Sequence, residues 1–120
     1  AEGHKQAILD GKSEDAIKAD VWNDINPLPG TAGYFTVARA LRTPFLDEWQ
    51  ARREDVHRER QRIQDELAAA AQSGRFHELM PFAGQSSGAI SSIVPAADVV
   101  RGIASEAEEL LRGAVARFVV

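Results

Sequence analysis

The chain of 120 residues contains no cysteine, so disulfides, thiolate metal sites and thiol nucleophiles are all excluded. It also lacks any run near the ~20 apolar residues that a helical membrane span requires. Its first residues carry no basic-then-apolar secretory pattern, and the chain is expected to be cytoplasmic. Positive charge is not in excess: 14 Lys and Arg stand against 18 Asp and Glu, giving a net charge of −4. A nucleic-acid partner is therefore not expected, because phosphate binding needs clustered, unpaired cations.

Recognisable catalytic constellations are missing too. The three histidines, His4, His57 and His77, are far apart and none has a second ligand at helical spacing, so no metal site is expected. Neither Ser86 nor Ser87 lies in a Gly-x-Ser-x-Gly context. Gly84 and Gly88 are four apart but lack the Lys of a phosphate loop. The carboxylates lie on charged helical stretches rather than in pairs suited to acid and base work.

What is present is an order of elements. Glu2–Leu9 reads as a short helix stopped at Asp10-Gly11. Residues 16–23 alternate Ile17, Ala19 and Val21 with Lys18, Asp20 and Trp22, the period of a half-buried strand with Trp22 on its polar-facing side. Residues 23–33 hold two prolines and two glycines and read as a loop. Tyr34–Arg42 reads as a second strand, pairing antiparallel with the first. Thr43-Pro44 is the firmest boundary: a capping hydroxyl, Pro at the first helical position and Asp47-Glu48 against the dipole.

The helix opened there is expected to run, with or without a break, to Gln72. Phe45, Trp49, Val56, Ile63 and Leu67 form its apolar stripe, and Trp49 belongs to the core. The opposite face is charged, with Glu48–Arg52, Glu54–Arg58 and Glu59–Arg62 at pair spacing. Ser73-Gly74 ends it. A last helix starts at Pro95, presents Val99, Val100, Ile103, Ala104, Ala107, Leu110 and Leu111 on one wide face, and is expected to stop at Gly113. The fold class is α+β, helix-dominated, with a short antiparallel strand pair. Two units are expected: residues 1–80 as a smaller lid-like domain with an N-terminal connecting helix, and 81–120 as a small-residue loop and C-terminal helix. Lys5–Leu9 looks like the later part of a helix and Phe118–Val120 ends on bare apolar residues, so the chain is expected to be a piece of something larger.

Between the long helices lies Met80–Ile90, with two glycines and two serines and no charge. Such composition serves a connector, or a backbone that must come close to a ligand.

Four stretches in order resemble the C-terminal third of the nitronate monooxygenase family, formerly 2-nitropropane dioxygenases. His4-Lys5-Gln6-Ala7-Ile8-Leu9 is similar to the helix after that family's last flavin-phosphate strand. Ala38-Arg39-Ala40-Leu41-Arg42-Thr43-Pro44-Phe45-Leu46-Asp47-Glu48-Trp49 is similar to its R-x-L-R-N-x-F-x-x-x-W stretch. Phe82–Ile90 and Val94–Val100 resemble its A-G-Q-x-x-G loop and final P-A-A-E-V-V helix. The resemblance implies the C-terminal part of an FMN enzyme built on a TIM barrel, with the last helix returning to that barrel. It implies no catalytic residue in this chain, since the family's catalytic histidine and phosphate glycines lie upstream. Ala83, Gly84, Gln85 and Ser86 would face the cavity between the two domains, Gln85 offering an amide N–H to a small-molecule substrate or the flavin. FMN would be bound mainly by residues this chain does not contain. A related FMN enoyl reductase, or a non-catalytic helical module that associates with a partner or a second copy through Trp49, Val56 and Ile63, are the alternatives.

Overall fold

In a computed structural model, residues 2–27 and 37–118 are described. The order is α1 (Glu2–Asp10), a 3-10 turn (Ser13–Asp15), β1 (Ala16–Lys18), α2 (Val21–Ile25), β2 (Arg39–Leu41) and α3 (Pro44–Ala51). A second 3-10 turn (Arg53–Asp55), α4 (Val56–Gln72), α5 (Phe76–Leu79), a 3-10 helix (Gln85–Ala89) and α6 (Ala96–Phe118) follow. The helix-dominated α+β class is what the sequence predicts.

β1 and β2 pair antiparallel, with Ala16 opposite Leu41 and Lys18 opposite Arg39. The first strand is shorter than its alternation implies. Ala19 N donates to Ala38 O at 2.8 Å, closing the pair, and the chain then turns into α2. Val21 and Ile25, four residues apart, are both buried on that helix. Trp22 therefore lies on a helix, not a strand, and packs edge-on against Phe82 with ring centroids 5.0 Å apart. Asn23–Ile25 is helical rather than loop, while the expectations for 28–36, including the start of the second strand, lie outside the described residues.

Thr43 starts α3 as its spacing predicts. Its Oγ1 accepts from Leu46 N at 3.1 Å and donates to Leu79 O at 2.7 Å, so one buried hydroxyl caps α3 and holds the end of α5. The long helix does break, at Arg52–Asp55, and the Arg52 side chain spans the break. It reaches Glu48 (3.0 Å), Asp55 (3.2 Å) and Glu59 (2.9 Å). Arg58 pairs with Asp55 rather than with Glu54. The guanidinium groups of Arg52 and Arg62 lie 5.1 and 5.2 Å from the ring centre of Trp49, so the charged face also roofs the core.

The predicted stripe is core throughout: Phe45, Trp49, Val56, Ile63 and Leu67 are buried with Leu46, Val21, Ile25 and Met80. Trp49, Val56 and Ile63 are consequently not available as a partner face. α4 also closes the end of α2, where Arg60 Nε donates to Asp24 O (3.0 Å) and Gln64 Nε2 to Ile25 O (2.7 Å). These bonds satisfy carbonyls that have no intrahelical partner. Gly74 terminates α4 with φ of +72°, a conformation that favours glycine.

α6 is different in kind. It does not stop at Gly113 but continues to Phe118, since an exposed interior glycine costs a helix only about 1 kcal/mol. None of its residues 96–114 is buried. Val100, Ile103, Leu110 and Leu111 are 64–72% exposed. The Cα radius of gyration is 19.6 Å, against about 14 Å for a compact chain of this length. The accessible surface of 8547 Å² exceeds the roughly 6,400 Å² expected of a compact monomer of this mass.

Candidate functional site

The loop after α5 is built onto the sheet. Leu41 N donates to Pro81 O (3.0 Å) and Ala83 N to Arg39 O (3.1 Å), and Ala40 faces Phe82 in an isolated antiparallel bridge. Pro81–Ala83 thus covers the edge of β2 that β1 leaves open. A single bridge leaves no alternation to be read in a sequence, which is why this pairing is absent from the pattern.

Phe82 is held from several directions. Its ring meets Trp22 and lies 6.0 Å from that of Phe76. Its carbonyl accepts from His4 Nε2 at 2.9 Å, which ties α1 to the loop and fixes the proton on that nitrogen. His4 has a structural task that its isolation in the sequence conceals.

From there the chain turns outward. Gly84 is extended, with φ −85° and ψ 169°. A turn follows in which Ser87 N donates to Gly84 O (3.0 Å) and Ile90 N to Ser87 O (2.9 Å). Of the four predicted ligand-facing residues, Ala83 is half-buried and pinned to β2, whereas Gly84, Gln85 and Ser86 are exposed and contiguous. Ser87, next in line, is buried, with its hydroxyl lacking a hydrogen-bond partner among the described residues.

The chemistry this surface offers is neutral. Residues 79–97 contain no charged side chain, so the loop presents an amide, hydroxyls and open backbone at Gly84. An FMN phosphate is held by cations or by backbone N–H groups at a helix start, and the loop carries no cation. A cleft of about 310 Å³ lies among Asp10, Asp15, Arg42, His77 and Pro81, and one of about 220 Å³ among Glu66, Ala70, Arg75 and Leu79. Neither includes Ala83–Ser86.

Perturbed ionisation lies elsewhere, at the junction of α3 and α4. The Glu59 carboxyl is held below the usual glutamate value, first by its hydrogen bond from Arg62, with the positive charges of Arg62 and Arg52 adding to it against the opposing effect of burial. Arg52 is raised chiefly by its hydrogen bond to Asp55, and Arg53 by its bond to Asp24. These groups pair with one another, so the shifts belong to a structural network. Among the described residues no three His, Cys, Asp or Glu side chains group to hold a metal, and no helix is long and apolar enough to cross a membrane. Compared with known proteins, the chain matches no family model, no curated protein and no solved structure.

Proposed function

We propose that this chain is the C-terminal portion of an FMN-dependent oxidoreductase of the nitronate monooxygenase type, which oxidises nitronates with O2. The observation that carries this proposal is the pairing of an uncharged, outward-facing Ala83–Ser86 loop with a following helix whose apolar face the described residues leave uncovered. A loop and helix at the junction with a barrel have this character: one side lines a ligand cavity, the other seats against the larger domain. The order of the A-G-Q-x-x-G loop and the P-A-A-D-V-V helix adds the resemblance of sequence.

In this reading the chain supplies the lid and one wall of the cavity, and FMN, held by the barrel, supplies the electron transfer. Gln85 has no side-chain hydrogen bond among the described residues and sits beside Gly84, where a Cβ would meet nothing closer than Ser86 Oγ at 3.8 Å. Its amide N–H is free to donate to a polar atom of the substrate. The pinning of Ala83 to β2 anchors the backbone from which Gln85 projects, and the role proposed for the amide is orientation.

The complete enzyme is expected to be yellow, to consume O2 with a nitronate, and to lose turnover or gain KM in the Gln85→Ala variant. A colourless protein contradicts the reading. A flavoprotein inert to nitronates that reduces an activated alkene with a reduced nicotinamide is the enoyl reductase instead.

A further inference from the structure

Gly88 has a different reason for being glycine than Gly84 has. Its φ is not positive, so backbone freedom does not call for it. A Cβ there would lie 2.2 Å from Ser13 Oγ, 2.6 Å from Ser13 N and 3.1 Å from Ser13 Cα. The hydroxyl could rotate away, but the other two are backbone atoms. That backbone cannot easily yield, because Lys12 N donates to Asp15 Oδ2 at 3.0 Å and Asp15 N to Lys12 O at 3.0 Å, and β1 begins at Ala16. On the other side, Ser87 is already buried.

We infer that Gly88 is a positioning residue for Gln85: its bare backbone lets the 3-10 helix Gln85–Ala89 dock on Ser13, and that contact sets where the Gln85 amide sits. Gln85 and Gly88 lie three apart, within one turn of the same short 3-10 helix. A displacement at Gly88 is passed directly to Gln85. The inference rests on the proposal that Ala83–Ser86 face a ligand, and it adds which contact holds them there.

The test is Gly88→Ala in the complete enzyme, with Ser13→Val as a second variant that crowds the same contact from the other partner. KM for a nitronate is expected to rise about tenfold, since small misplacements of an orienting group are costly, with kcat changed much less and FMN content unchanged. The Gln85 amide signals in a spectrum of the Gln-labelled enzyme are expected to shift in the same variants. If Gly88→Ala fails to fold, Ser13→Val decides by the same readouts. Wild-type KM together with unmoved Gln85 signals overturns the inference. Absence of nitronate turnover in the wild type sinks the functional proposal instead, and the Gln85 signals then decide on positioning alone.

Discussion

Trp49 and Leu110 are both large apolar side chains on helices of this chain, and they end in opposite surroundings. Trp49 is 1% exposed, beneath two arginines and against Phe45, while Leu110 is 72% exposed on α6. The difference is not one of composition, because α6 presents as wide an apolar face as α4 does. It lies in what each face meets. The α3–α4 stripe finds α2, the sheet and Met80 within the described residues, and the α6 face finds no cover there. An amphipathic helix is half of a statement about packing, and the other half has to come from the partner.

The largest contrast is expected in a pair of substitutions. Trp49→Ala removes the biggest fully buried side chain and is expected to destabilise the 120-residue chain by about 3–5 kcal/mol in urea unfolding. Leu110→Ala is expected to change it by less than about 0.5 kcal/mol, as for an exposed position. Comparable losses from both would break the comparison, since Leu110 would then be packed.

A smaller effect is expected at Thr43. Thr43→Ala leaves Leu46 N without its cap and Leu79 O without its donor, a loss of about 1–2 kcal/mol. Thr43→Ser should retain most of the stability, because it keeps the oxygen. Equal losses in the two variants would mean that the methyl group, not the hydroxyl, matters.

The smallest effect concerns pH. Glu59 has its carboxyl lowered in the fold, so its contribution to stability is present above the unfolded glutamate value and is lost as pH falls through the lowered folded value. Unfolding midpoints of wild type and Glu59→Gln should converge over that acidic window. A gap that stays constant with pH contradicts the assignment. Because the Arg52 and Arg62 side chains are 43% and 57% exposed, the effect is that of a surface network.

The sequence makes some of this legible for physical reasons that can be named. Thr43-Pro44 and Gly74 are local signals, each acting through its own backbone, and both stand where they are predicted. The stripe from Phe45 to Leu67 survives the break at Arg52–Asp55 because its burial depends on spacing rather than on helix continuity. α2 is missed because one turn is too short to establish a period, and Ile17, Ala19 and Val21 imitate a strand. The bridge from Phe82 to Ala40, the bond from His4 to Phe82 and the contact of Gly88 with Ser13 join residues 42, 78 and 75 positions apart. No local pattern encodes contacts of that kind. At the candidate site neither the anchoring of Ala83 to β2 nor the close approach of Gly88 to Ser13 is legible in the sequence.

Hydrogen exchange of the α6 amides is the most direct test of the proposal that this helix seats on a larger barrel domain. In the 120-residue chain the α6 amides are expected to exchange orders of magnitude faster than those of α4, as for an uncovered helix. In the larger enzyme proposed above they are expected to reach the protection of α4. Protection of α6 equal to that of α4 in the 120-residue chain alone would contradict the account.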